Sequence, residues 1–450
     1  MTMPVRTRNE NLERLIEQSG WTRSQFARIV NRTGAEVGLG LRYDPSAVSH
    51  WLSGTMPKRR VRRLILEAFS RRLGRTVTHA EAGFPPATDD DAPTGVGTVE
   101  EIVDLGRADM DPSRRGVVAV AGLFSATLAV PAFAAPATAA PVTPGKATVR
   151  IGAAQVETVR RMTDRIAGVL DEFGGALARP MAAAFLVNTV APWLRADATD
   201  SVRTDMWAAA SDLVYLTGWM AMYEREHGTA QDYYVKALKL AAHADDHLTY
   251  CRTLRGMSLQ ASHLRHGPLA LRLADSAAEA APKASPRLRA FLTGQQAHAT
   301  ALVGDHRRAR ALLAMTETSL TRADDRRESI GGYDQCAYSF HVSHVLYEAK
   351  DLPGSIKALE RAIAVQPADE RQGRVHFHAV LAQRQLEHGH LDAACASWER
   401  FLETYEHIAS ARGDEHFTTL RTDLKPFRTS QAVRRLAPRV AEVARVKSAA

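Results

Sequence analysis

The residues best suited to chemistry are the 17 histidines and the three cysteines. His263/His266 and His341/His344 have HxxH spacing, which puts both rings of a pair on one helical face. A zinc hydrolase requires HExxH, with the glutamate as general base, and neither pair supplies it. Cys251, Cys336 and Cys395 stand far apart, without CxxC or Cys/His ligand spacing. A zinc finger, an iron–sulfur cluster and a disulfide framework therefore drop out. No Ser/His/Asp elbow, P-loop or GxGxxG occurs, and Gly174-Gly175 and Gly331-Gly332 read as turns. The expectation is a chain that is not an enzyme and needs no metal or cofactor, whose histidines pack hairpins or line a groove. Few cysteines fit a reducing compartment, and the polar stretch Met1–Asn11 lacks signal-peptide character. A cytoplasmic location follows.

The other chemistry belongs to cations. Residues 1–75 hold 15 Lys+Arg and 6 Asp+Glu, a charge of +9, while the remainder holds 43 and 44, a charge of −1. A basic excess confined to one end points to an anionic partner, either nucleic acid or an acidic membrane surface. Much of it lies in Met56-Pro-Lys-Arg-Arg-Val-Arg-Arg63 and in Arg71–Arg75.

Helical spacing predicts the elements that carry these cations. Leu12, Leu15 and Ile16 make Asn11–Gln18 an amphipathic helix ended by Gly20. Thr22-Arg-Ser-Gln25 is a capping box. The helix it opens turns Phe26, Ile29 and Val30 inward and stops at Gly34. A short helix runs from Asp44 or Ser46 to Leu52, closed by Gly54. Pro57 then sits in the first turn of a helix reaching Leu73, with Val61, Leu64, Ile65, Ala68 and Phe69 on one face. Short helices in this order match a helix-turn-helix domain.

Ser46-Ala-Val-Ser-His-Trp-Leu-Ser-Gly54 resembles the recognition helix of the repressor-type (Xre/Cro-like) helix-turn-helix family, with Val48 and Trp51 as buried anchors and Gly54 as the C-cap. A wider string is similar to actinobacterial (Streptomyces-type) transcriptional regulators that join such a domain to a tetratricopeptide-like C-terminal half. It comprises Gly20-Trp21, Arg42-Tyr43-Asp44, Trp51-Leu52-Ser53-Gly54 and Arg71-Arg72-Leu73-Gly74-Arg75. The resemblance covers most of the chain. It departs from the general family between the second helix and the recognition helix, where the segment is about ten residues longer than the usual tight turn.

The resemblance implies double-stranded DNA as partner and a transcription-regulating role. Lys58, Arg59 and Arg60 would lie beside the phosphate backbone, joined by Arg23 and Arg42, and such contacts position a domain without reading sequence. Ser46, Ala47, Ser49 and His50 would face base edges. Gln25, beside Ser24, matches a family position that orients readout and contacts DNA. This set lacks long bidentate readers, so a homodimer on two half-sites is expected.

Three regions follow: a helix-turn-helix domain over 1–85, a linker over 86–149, and a helical array over 150–450. Pro85–Pro112 has linker composition. Gly116–Ala135 carries no charge and is long enough, at ~20 residues, to cross a bilayer. It reads as a spanning helix, an apolar helix packed on the array, or a loose linker. In the first case Arg114-Arg115 would hold the N-terminal domain in the cytoplasm, and the protein would be a membrane-tethered scaffold or receptor.

Beyond Ile151 the chain repeats. A small residue, a bulky or small one four later and a small one three beyond recur as Ala230/Tyr234/Ala237, Ala270/Ala274/Ala277, Ala309/Leu313/Thr316, Ser355/Leu359/Ala362 and Ala394/Trp398/Phe401. Thr316 and Phe401 fit the third position imperfectly. Gly218 holds the small position on the partner helix of the first frame. The anchors are 40, 39, 46 and 39 residues apart, longer than the ~34 of a standard tetratricopeptide unit. Turns are expected at His227-Gly228, His266-Gly267, Gly304-Asp305, Asp351–Gly354 and His388-Gly389. The fold class is all-α, with Ile151–Arg195 as N-terminal cap and Ser430–Val446 as a basic amphipathic C-terminal cap. Stacked hairpins form a concave surface, so a peptide or protein partner is expected there, with Tyr333, Tyr338, His341 and His344 as candidate effector contacts.

Overall fold

The computed structural model describes residues 8–35, 39–73, 77–85, 97–110, 124–125, 130–131, 133, 149–323 and 333–449. Among them there is no strand, only an isolated bridge between Arg150 and Asp197. The protein is all-α.

Helices α1 (Glu10–Ser19), α2 (Arg23–Ala35), α3 (Pro45–Leu52) and α4 (Arg59–Leu73) form the N-terminal domain. Asn9 caps α1 by accepting from the Leu12 amide, and Gly20 ends it at φ +68°. The predicted capping box is present: Gln25 N donates to Thr22 Oγ1 and Thr22 N to Gln25 Oε1. Helix α2 runs one residue past the expected stop, because Gly34 is buried against Leu41 instead of ending the helix. The long segment after α2 is tied down by Asn31, which donates to the Tyr43 carbonyl and accepts from its amide, both at 2.8 Å. Phe26, Val48, Trp51, Ile65 and Phe69 fill the core. The turn at 77–84 closes the domain, with Asn9 Nδ2 donating to the Ala82 carbonyl.

The region expected as linker contains a helix, α5 (Thr98–Met110). Its Ile102 and Leu105 join the core of the array. Buried Asp109 pairs with Arg179 at 3.1 Å and accepts from Tyr233 Oη at 3.2 Å. Linker composition is therefore confined to its flanks. Of residues 116–135 only Phe124, Ser125, Val130, Pro131 and Phe133 are described, and none is helical. Ser125 and Gln231 exchange two hydrogen bonds, and Tyr250 Oη donates to the Pro131 carbonyl at 2.6 Å. Arg114-Arg115, Gly331-Gly332 and the rest of the apolar stretch lie outside the described residues. Among the described residues no helix is long and apolar enough to cross a membrane.

The cap comprises α6 (Ala153–Phe173), α7 (Gly175–Phe185), a π-turn (Leu186–Val190) and α8 (Ala191–Leu194). Five hairpins follow: α9 (Asp200–Tyr223) with α10 (His227–His243), α11 (His247–His263) with α12 (Gly267–Glu279), α13 (Pro286–Leu302) with α14 (His306–Thr321), α15 (Gln335–Glu348) with α16 (Leu352–Val365), and α17 (Arg371–Glu387) with α18 (Leu391–Tyr405). All five predicted frames fall on the second helix of a hairpin and are buried. Twelve residues before each anchor the first helix also carries a small buried residue: Gly218, Ser258, Ala297, Ser343 and Ala382. Small residues let the paired helices approach closely: a Cβ at Gly218 would already stand 3.0 Å from Tyr233 and Tyr234. Ser258 and Ser343 tighten the contact by donating to the carbonyls of Ala270 and Ser355.

Within each hairpin the turn holds one left-handed residue, at Arg225, Arg265, Gly304, Lys350 and Gly389. The next amide bonds five residues back, as in a Schellman turn; Glu226 N to Ala221 O at 2.9 Å is the first instance. Gly228 and Gly267, expected in turns, lie inside helices α10 and α12.

The array closes on itself. Helices α17 and α19 (Ala411–Asp423) return to the cap and first hairpin. Ala409 N donates to the Phe173 carbonyl at 2.8 Å, Ala411 N to Glu224 Oε2 at 3.0 Å, and Arg225 pairs with Glu415. The terminal helix α20 (Gln431–Ala449) packs on α18 through Val433, Leu436 and Val443, as its amphipathic pattern predicted.

Gly174 makes the closure possible. Its φ is +93°, and a Cβ there would stand 2.3 Å from the Ala409 carbonyl oxygen. Gly174→Ala is expected to lower stability by about 1–3 kcal/mol. Gly168→Ala in α6, where a Cβ meets nothing within 4 Å, is expected to raise it by about 1 kcal/mol. Guanidinium unfolding of both variants checks the pair of signs.

Candidate functional site

Two regions collect the chemically able residues. The first is the face of the N-terminal domain formed by the start of α2, α3 and the loop before it. Asp44 caps α3 by accepting from Ala47 N at 2.9 Å. Arg23, Ser24, Gln25, Arg42, Ser46, His50 and, after α3, Lys58 are exposed, while Ala47 and Ser49 are half-buried. Arg23 Nη1 donates to Ser49 Oγ at 3.3 Å, which joins the two helices at this face. Ser49 itself donates to the Pro45 carbonyl, so its free capacity is as an acceptor. Val48 and Trp51 are buried beneath, as the resemblance implied. Arg59 and Arg60 open α4, and their side chains lie outside the described residues.

Helix α4 has a second buried face. Leu64, Glu67 and Ala68 follow helical spacing on it. There Glu67 Oε1 accepts from Arg71 Nε at 2.6 Å and lies 3.2 Å from His266 Nε2 at the start of α12. Burial opposes the Glu67 charge, yet His266 and Arg71 hold its carboxyl below the usual value. Phe124 stacks on His266 with ring centroids 5.3 Å apart. The N-terminal domain is thus seated on the array.

The second region is the space enclosed by the first helices of the hairpins. Two adjoining cavities, of about 530 and 510 Å³, share His263 and His298 in their walls. One repeat position supplies the wall: Trp219, Leu259, His298, His344 and Gln383, each eleven residues before its anchor, line one cavity or the other. Of the four candidate effector residues, His341 lines the larger cavity and His344 the smaller. Tyr333 stands behind His341 and hydrogen-bonds its Nδ1 at 2.8 Å. Tyr338 lines neither; it packs against α14 and pairs with Glu317. Arg255, Arg412 and His298 are among the cavity residues that the sequence did not single out.

The cavity is rich in histidines held neutral. Burial, helped by Arg255, Arg265 and Arg384, pushes His298 down to about 3. Burial first, then neighbouring cations, also pushes His227 and His416 to about 3 and His378 to about 4, and holds His263, His341, His344 and His376 well below the usual range. Arg384, buried between Ser355 Oγ and the Tyr347 ring, falls to about 10. Among the described residues no three His, Cys, Asp or Glu side chains converge as a metal site.

A family profile described as the SP15 N-terminal domain matches residues 12–85. The match spans the four-helix domain and its closing turn and leaves the array uncovered. No curated protein and no solved structure matches the chain.

The histidines set the acid stability. Their folded-state pKa values lie below the unfolded value near 6.5, so the unfolded chain takes up protons first. Stability is full above pH ~6.5 and falls as pH drops toward 3, by up to about 1.4 kcal/mol per pH unit for each such group. Glu224 and Asp232, raised by burial to about 7 and about 6, act oppositely but are outnumbered. Melting temperature measured from pH 8 to 5 should fall steeply below 6.5, and His298→Gln should flatten that slope; a level profile would contradict the assignment.

Proposed function

We propose that the protein is a sequence-specific DNA-binding transcriptional regulator in which the N-terminal domain docks on DNA and the array senses an effector or partner. The observation that carries this reading is the Arg23–Ser49 hydrogen bond, which joins α2 to α3 on a four-helix domain where Gln25, Ser46, His50 and Lys58 are exposed. The concentration of +9 within residues 1–75 supports it. Cations there would meet phosphates, while Ser46, Ala47 and His50 would read base edges. A homodimer would present two such faces at a fixed half-site spacing.

The array is suited to sensing because cavity and DNA domain are adjacent. His263, the last residue of α11, lines both cavities. His266, three residues on, meets Glu67 of α4. A ligand that displaced His263 would act on the turn that holds α4, giving the two-state element that coupling between sites requires.

Residues 1–85 should shift DNA in a gel at low salt, and no shift would refute the reading. Lys58→Ala and Arg23→Ala should weaken binding to all sequences alike, whereas His50→Ala should change the preferred sequence. If about six cations engage phosphates, the log–log salt slope is roughly −5. Glu67→Gln should change DNA affinity of the full chain while leaving that of residues 1–85 unchanged; equal effects on both would remove the seated α4 from the mechanism.

A further inference from the structure

A guanidinium buried without a carboxylate partner is costly, and the larger cavity contains one. Arg255 projects from α11 and is 8% exposed. Its Nε has no partner. Its Cζ lies 4.4 Å from the Phe291 ring centroid and 5.9 Å from that of Trp219. The groups that favour its charge are the hydroxyls of Tyr215, Tyr333, Tyr223 and Tyr234, with no carboxylate among them. Arg412 of α19 lines the same space. Its Cζ is 4.9 Å from the Tyr223 ring centroid, its Nη2 is 2.9 Å from His263 Nδ1, and its Nη1 is buried without a partner. Glu415, the carboxylate that favours the Arg412 charge, is paired with Arg225.

The cavity does contain acids, but they stand elsewhere. Asp171 and Asp369 are exposed, and Asp334 and Glu370 are half-buried. Asp334 is occupied in capping α15. The depth of the cavity is therefore positive and the carboxylates lie toward its mouth. The cavity walls are aromatic, with Trp219 and Phe291 beside Arg255 and with Tyr223 and Phe340. Histidines within the two cavities add open nitrogens, at His298 Nδ1 and His344 Nε2.

We propose that this cavity binds a small organic anion, whose carboxylate or phosphate pairs with Arg255 and whose planar aromatic body lies among Trp219, Tyr223, Phe291 and Phe340. A guanidinium fork matches both head groups and gains most where water is excluded. A space of about 530 Å³ falls within the range of small-ligand sites. The cationic, aromatic depth and the carboxylates toward the mouth suit one small anion. The proposal deepens the sensing half of the regulator reading and rests on that reading for any effect on DNA, though not for binding itself.

Isothermal titration of the full chain without DNA tests it, with 2-naphthoate as probe and 2-naphthol as its neutral counterpart. One 2-naphthoate per chain is expected, bound at least tenfold more tightly than 2-naphthol. Arg255→Met should weaken 2-naphthoate at least tenfold and leave 2-naphthol unchanged, and Arg255→Lys should restore part of the loss. Removing an unpaired buried charge tends to preserve folding, and the melting temperature verifies it. Should Arg255→Met fail to fold, the naphthoate-to-naphthol ratio on the unaltered chain decides alone. Tighter binding of 1-naphthyl phosphate than of 2-naphthoate assigns a phosphate head group, and the reverse order a carboxylate; either supports the site. Equal affinity for 2-naphthoate and 2-naphthol, or no effect of Arg255→Met, overturns it. A chain that binds naphthoate but shifts no DNA keeps the site and loses the regulator reading.

Discussion

The close approach of two helices at a pair of small residues organises the array. In every hairpin a buried glycine, alanine or serine on the first helix stands twelve residues before a buried alanine or serine on the second. A larger side chain would hold the helices apart; a Cβ at Gly218 would already stand 3.0 Å from Tyr234. Because this contact fixes rotation as well as distance, the residue next to the small one on the first helix turns to the same side in all five hairpins. That side is the interior, so one packing constraint produces both the stack and the cavity wall from Trp219 to Gln383.

The packing constraint was legible because it recurs. Ala230, Ala270, Ala309, Ser355 and Ala394 are spaced at about forty residues, and periodic small residues leave a trace in any sequence. The capping box at Thr22 and the anchors Val48 and Trp51 were legible for a similar reason, since local geometry dictates residue type. Helix α5 was hidden by the Pro, Gly and Asp residues around it, although Ile102 and Leu105 follow helical spacing. The turns were misplaced by the prominence of Gly228 and Gly267, while Arg225, Arg265 and Lys350 take the left-handed position at roughly 1 kcal/mol each. Arg255 and Arg412 could not be found by spacing. What distinguishes them is a missing partner, and that is a property of the folded neighbourhood.

Helix α4 connects the two regions. Val61, Ile65 and Phe69 hold it to its own domain, and Glu67 holds it to the array. The HxxH pair at His263 and His266 looked like one feature in the sequence. In the structure its members face different ways, one into the cavity and one toward Glu67. The domain joint and the chamber wall are therefore one helical turn apart, which places any strain at the wall on the seat of α4.

The closure between the last and first hairpins changes how the array can fold. An open stack of repeats gains stability one neighbour at a time. Here Glu224 meets Ala411 across 187 residues, a contact of very high sequence separation, which slows the search for the native state. The chamber is complete only once that contact forms. Whatever occupies it then binds the closed form alone, and its concentration adds RT ln(1 + [L]/Kd) to the stability of the ring. The occupant would thus act as a late folding ligand, setting how long the ring stays shut and how readily a protease meets an open chain.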